Sequence, residues 1–285
     1  MNAKNKVLVL MSFSLTTSLC FGQVEFLSEW GGQDLKGQVK SIKTTIYYAD
    51  EKFGEISKGD VYSWKSYQFD SKGECIENTN SDESYLKYEN KYNNQNKLIE
   101  KNFYHLDGTL IGKRVNKYNN EEIAQTIIYG EDGSLSDKYL YKYNDNTKNC
   151  ETIEYNNNGI LICKWLHDKN RNLLEIYEYS DSDGSLNTRQ KYEYDSNGKL
   201  NRALVYDIYD KLQKEYSYNE NADAIMEKSY SYSYDDDYND VATPTIEYTY
   251  QYKYDNKKNW IERIAFKSEA EIVISIQARE IEYYK

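Results

Sequence analysis

The sequence holds a single proline, two histidines and four cysteines in 285 residues, and beyond its first twenty-odd positions it has no long apolar run. Each shortage excludes something. With so few histidines, neither a Cys/His metal set nor a Ser/His/Asp arrangement can be assembled with any specificity. The cysteines are too sparse for a disulfide framework, which a chain of this length does not need in order to fold. No segment after the start is apolar enough for a helix to cross a bilayer, which takes about 20 mainly apolar residues.

Positive charge is also short. Residues 1–6 carry two lysines, "VLVLMSFSLTTSLCF" supplies an uncharged apolar run, and "CFG" offers small residues before Gln23, so residues 1–22 read as an export signal cleaved after Gly22. A lipoprotein reading would acylate Cys20, but Leu19 stands where a small residue is expected. The mature chain then has 34 basic against 47 acidic residues, net −13. That balance speaks against a nucleic-acid partner, which requires a cationic footprint. It suits a protein that is exported, whether periplasmic, secreted or peripherally attached to the surface, and that is not an integral membrane protein.

What is abundant is tyrosine, 32 residues. Each brings a large apolar ring whose hydroxyl must reach water or a partner. The tyrosines recur with a period. Turn-like clusters end in an aliphatic residue at Leu98, Leu110, Ile123, Leu135, Leu161, Leu173, Leu186, Leu200, Leu212 and Ile225, with Cys150 filling the one gap, a mean step of 12.7 residues. One strand plus one turn has that length. Most units close on an aromatic followed by Asp or Asn, as at Tyr92-Asn93, Tyr194-Asp195 and Tyr254-Asp255. Asp and Asn bond their own turn backbone, and a glycine shortly after takes positive φ without steric cost. The aromatic before the turn and the aliphatic after it should face each other across the hairpin. Between turns, "KYLYKYN" and "SYSYSYD" alternate with period two, the strand period.

The fold class is therefore all-β: consecutive antiparallel hairpins of about 12–13 residues per strand plus turn, spanning residues 37–285 after an irregular segment at 23–36. Roughly twenty strands at about 4.8 Å spacing make a sheet on the order of 90 Å wide. It is expected to coil into a spiral or partial barrel, or else to remain a single layer wet on both faces.

"YDSNGKL" (194–200) matches the turn of YD repeats, the unit of RHS-type proteins, and "YDNKKNWIERI" (254–264) resembles a variant. The opening "GQVKSIKTTIYYADEKFGEISKGD" (37–60) and closing "REIEYY" (279–284) are similar to the ends of short exported bacterial proteins built from such units, of unassigned function. Several units are degenerate, lacking glycine in "YNNEEI", "YNDNTKN" and "YNENADA". Large RHS proteins wind such hairpins into a hollow shell around a toxin. With too few strands for a closed shell, and without the cleavage motif and toxin segment, this chain is not expected to share that activity.

Specific chemistry is harder to place. The acidic turns at 180–185 and 234–240 offer closely spaced oxygens for calcium, yet "SDSDGSL" sits in register with the other hairpin turns. His105 and His167 read as solvated turn residues. Cys150 and Cys163 flank the "EYNNNGI" turn and should point the same way, leaving open a cross-strand disulfide or two small buried hydrophobes. The row Tyr248, Tyr250, Tyr252 and Tyr254, with the rarer Trp64, Trp165 and Trp260, forms the candidate binding set for a glycan or a protein, against a packing role shared with every other unit. No cofactor and no catalytic residue is indicated. The leading expectation is a non-enzymatic exported scaffold or interaction module at the bacterial envelope. A glycan-binding module is the alternative, and an immunity-like partner of a neighbouring toxin a further one.

Overall fold

The computed structural model describes residues 35–285, except 83–84, 145, 235–239 and 268–271. It contains eighteen strands: β1 Val39–Lys52, β2 Glu55–Phe69, β3 Cys75–Asn80, β4 Tyr85–Tyr92, β5 Leu98–Tyr104, β6 Leu110–Asn119, β7 Glu122–Gly130, β8 Leu135–Tyr143 and β9 Cys150–Asn156. They continue as β10 Leu161–His167, β11 Leu173–Tyr179, β12 Leu186–Tyr194, β13 Leu200–Tyr206, β14 Leu212–Tyr218, β15 Ala224–Tyr234, β16 Asp240–Tyr254, β17 Trp260–Lys267 and β18 Ile272–Tyr283. Every strand pairs antiparallel with its neighbours in sequence, and β18 pairs with β1 from Tyr283 opposite Val39 to Ser275 opposite Tyr48.

The sheet therefore closes into an eighteen-stranded barrel. This corrects the expectation of a coiled, partly closed or single-layer sheet, and that of too few strands for closure. An open edge leaves a row of backbone donors and acceptors unpaired, and closure removes both edges at once.

The hairpin rule is written into the registers. Tyr92 lies opposite Leu98, Tyr118 opposite Ile123, Tyr194 opposite Leu200 and Tyr254 opposite Trp260. In the fourteenth unit Ala224, not Ile225, faces Tyr218. The residue after the facing one is extruded as a bulge, which leaves Ile99, Ile225 and Ile261 exposed. In the turn of Asp195, its Oδ1 accepts the N–H groups of Asn197 and Lys199 at 2.8 and 2.9 Å, and Gly198 takes φ 76°. Where glycine is missing, Asn96, Arg171, Asp210, Ala222 and Lys258 adopt the same positive φ. Turn geometry is thus held even against a side chain that disfavours it.

Following the registers around the ring keeps one face continuous. Ile42, Tyr67, Asn78, Tyr88, Lys101, Arg114, Thr126, Tyr139, Thr152, Trp165, Ile176, Ala203 and Ala265 share the inward face, where the most deeply buried large side chains lie. The outward face carries cross-strand ion pairs: Lys164–Glu151 at 2.8 Å, Arg202–Glu215 at 3.0 Å and Lys253–Glu262 at 2.7 Å.

Tyrosine joins the hairpins to one another. On the rim where even-numbered strands end, the tyrosine closing a strand donates to the turn two strands earlier. Tyr92 Oη reaches Asp70 Oδ2 at 2.6 Å, Tyr118 reaches Leu98 O at 2.9 Å, Tyr194 reaches Leu173 O at 2.7 Å and Tyr254 reaches Asp223 Oδ2 at 2.9 Å. Turn lysines lie over the rings that close strands on this rim: Lys72 Nζ 3.4 Å from the Tyr92 centroid, Lys97 5.2 Å from Tyr118 and Lys257 4.9 Å from Tyr283.

Candidate functional site

Of the residues singled out in the sequence, Trp260 joins the tyrosine row, opposite Tyr254 and with its ring 6.3 Å from that of Tyr252, whereas Trp64 and Trp165 stand apart from it. Trp64 faces outward, half-buried, with Lys43 Nζ 5.3 Å from its ring. Trp165 is inward, fully buried and tilted against Tyr139. Trp260 is inward and buried, with the Arg279 guanidinium 3.5 Å above it. Tyr248, Tyr250, Tyr252 and Tyr254 share the inward face, as their alternation required. Tyr248 is buried and the other three are half-buried. Tyr250 Oη donates to Glu227 at 3.3 Å, and Tyr252 Oη to the Ala224 carbonyl at 2.6 Å. Burial, the largest cause, pushes the Tyr252 hydroxyl up to about 12. The row is spent on packing and on holding neighbouring turns.

The structure decides between the two readings of the cysteines and corrects that of His167. Cys163 lies opposite Glu154 while Cys150 lies opposite His167, four positions away along β9, about 13 Å. Both thiols do face inward, but a disulfide needs Cα atoms within about 7 Å, so Cys150 and Cys163 are two separate buried thiols with no bridge between them. Burial pushes the Cys150 thiol up to about 11. His167 is no solvated turn residue: it ends β10, buried, and desolvation followed by the Arg171 charge lowers it to about 4. His105 does lie in a turn. In the 180–185 turn Asp183 Oδ1 accepts from the Ser185 N–H at 3.0 Å and its hydroxyl at 2.8 Å, so that oxygen serves the hairpin. Residues 235–239 of the other acidic stretch lie outside the described residues. Among the described residues no group of His, Cys, Asp and Glu could hold a metal ion.

The two rims differ, and periodicity alone does not reveal this. Fifteen large hydrophobic residues are exposed among the described residues, and twelve of them lie on the rim where odd-numbered strands end. The other three are the bulge residues Ile99, Ile225 and Ile261. On the first rim, Leu106, Ile208 and Tyr209 stand in turns, and Tyr48, Phe53, Ile56, Val61 and Tyr62 stand on one hairpin. Charge divides the same way. The turns of that rim together with residues 50–60 carry twelve carboxylates against three lysines among the described residues, whereas the turns of the opposite rim carry eight acids and eight bases.

The hairpin β1–β2 crowns this rim. β1 pairs with β18 only as far as Tyr48, and β2 meets β3 only from Lys65, so residues 49–63 form a two-stranded ribbon bonded to itself. Register shifts interrupt β2 between Val61 and Ser63 and between Lys58 and Val61. Lys58 fixes the ribbon's base, 3.2 Å from Glu262 on the outer wall and 5.4 Å from the Tyr47 ring. Tyr48 and Tyr62 meet edge to face at 5.4 Å. A concavity of about 470 Å³ opens at the other rim, lined in part by Lys142, Asn144, Thr147, Asn149, Glu151, Leu166 and Leu174.

No family model matches the chain, and no curated protein matches it. Among solved structures it is similar to a porin-like protein from Bacteroides uniformis ATCC 8492, at 12% identity and TM-score 0.42, covering 87% of this chain and 99% of that one. A protein of unknown function from Bacteroides fragilis NCTC 9343 matches at 13% identity and TM-score 0.27, covering 50% of this chain and 98% of that one. The Photorhabdus luminescens Tc holotoxin pore matches at 11% identity and TM-score 0.19, over 76% of this chain but only 16% of that one. All three scores fall below 0.5, so the barrel stands on its own ladders.

Proposed function

We propose that the chain is an exported, non-enzymatic β-repeat protein acting as an interaction module at the bacterial envelope, with the acidic, apolar-studded rim as its working face. The observation that carries this reading is the asymmetry of exposure. Among the described residues, twelve of fifteen exposed large hydrophobics crowd one end of the barrel, beyond what scattered surface residues require. Interior tyrosines, by contrast, have their hydroxyls engaged within the fold, on neighbouring turns as at Tyr254 or on neighbouring strands as at Tyr250 and Tyr139.

The outer wall supports a protein that stands in water rather than lipid. Ion pairs such as Lys164–Glu151 and Lys253–Glu262 sit where a membrane barrel presents its apolar band. A lysine or arginine at the bilayer midplane of such a wall costs about 2–4 kcal/mol.

Covalent footprinting of the mature chain, with and without an envelope extract of its host, tests the reading. Protection of the turns and ribbon of the first rim, with the opposite rim unchanged, is expected. Unchanged labelling at both rims would refute it.

A glycan-binding reading draws on a second observation. Tyr104, Tyr129, Tyr155, Tyr179 and Tyr206 close alternate strands just below the same rim, point outward and are half-buried. Their spacing of two strands, about 10 Å, suits an extended saccharide laid across the ladder. Glycan-array binding lost on substituting Tyr155 and Tyr179 by alanine would favour it over a protein partner.

A further inference from the structure

We infer that the β1–β2 ribbon is the docking element of this rim, and that Phe53 at its tip anchors in an apolar pocket, rimmed by lysine and arginine, on a partner protein. The inference rests on the interaction reading above and gives that partner its chemistry.

Phe53 and Gly54 form the two-residue loop of the hairpin, with φ 56° and 80°. A loop with both residues at positive φ is the tight turn that favours Asn-Gly, and a phenylalanine in its first position costs about 1 kcal/mol in backbone strain. The side chain recovers nothing within the chain, because Phe53 is 106% exposed. A strained, fully solvated aromatic at the end of a projecting ribbon has the form of an interface anchor, a large ring presented for burial elsewhere.

Charge selects the partner. Asp50, Glu51, Glu55 and Asp60 have no ion pair among the described residues, while Lys58 is engaged by Glu262. Only Lys52 offsets the four carboxylates, so a cationic rim around the receiving pocket is the complementary surface. The same charges oppose an anionic membrane and a second copy of this acidic chain. Addition of a partner strand to the edge of β2 is disfavoured as well, since its two register shifts break the regular run of edge groups.

The test uses the full exported chain carrying a photo-crosslinking phenylalanine analogue at position 53, or at position 196 as an exposed control on a turn of the opposite rim, irradiated in the host. A protein adduct at 53 and not at 196 is expected. That protein, identified by mass and purified, is then titrated with wild type, Phe53→Asn, and the double variant Glu55→Lys, Asp60→Lys. Phe53→Asn should melt no lower than wild type, because asparagine suits the turn, yet bind about 30-fold more weakly. The double variant should lose about tenfold, with binding that depends less on salt. Undiminished binding by Phe53→Asn overturns the anchor and leaves the interaction reading intact. No adduct at 53, combined with unchanged footprints at both rims, defeats both. Phe53-dependent binding to anionic vesicles, or a Phe53-dependent dimer in ultracentrifugation, would overturn the protein partner proposed here.

Discussion

Ala222 and Glu154 show what a single residue does in this repeat. Ala222 holds φ 67° in the turn after β14, a left-handed conformation that other turns give to glycine. Ala222→Gly should therefore raise stability by about 1 kcal/mol in denaturant titration, and Gly198→Ala should lower it similarly. Glu154 makes a different point. Burial, the largest cause, raises its carboxyl from the usual 4.5 to about 7, although Tyr139 donates to it and favours the charged form. A group whose pKa is raised in the fold contributes stability that is complete below the unfolded value and is lost as pH climbs to the folded one. Stability should therefore fall between about pH 4.5 and 7, by at most about 3 kcal/mol from this group, and Glu154→Gln should flatten that slope. An unaltered slope in the variant would assign the pH dependence to other carboxylates.

At the scale of the element, the hairpin is the unit and the tyrosine hydroxyl is its link to the hairpin before it. Tyr194→Phe removes the 2.7 Å bond to Leu173 O and leaves that ring in place, so it should cost about 1 kcal/mol. Tyr209→Phe, on an exposed turn, should cost nothing measurable. In the mature chain unfolded without reductant, Cys75, Cys150 and Cys163 should all alkylate, and loss of two thiols would restore the bridge that the β9–β10 register rules out. Much of this scale was legible in the sequence. Period-two alternation and the aromatic–Asp/Asn–aliphatic turn place nearly every strand, because they encode local backbone geometry. The choice between a Cys150–Cys163 bridge and two buried thiols stays open in the sequence because a bulge and the turn length, not alternation, set how far apart two residues lie. His167 was misread because it is the last residue of β10, directly before the turn that starts at Asp168, and one position there decides between burial and solvent.

For the whole molecule, closure decides what the rims are, and neither composition nor repeat length encodes it. It depends on summed strand twist and on one long-range ladder between Val39–Tyr48 and Ser275–Tyr283, residues more than 200 apart in sequence. Closure also sets the β1–β2 ribbon beside β17 and β18 and gathers exposed aromatics that look unrelated in the sequence. Trp165, Trp260 and the tyrosine row went to the core and the turns and Trp64 to the outer wall, while the surface that best fits a partner lay in the hairpin whose exposure only the fold discloses. The most direct test places spin labels at Lys43 and Glu280, which face each other across the β1–β18 ladder on the outer wall. Pulsed dipolar spectroscopy should return a separation below about 20 Å, the strand spacing plus two label arms. An open eighteen-stranded sheet would instead hold the labels on the order of 80 Å apart, and a distance in that range would contradict the closed barrel.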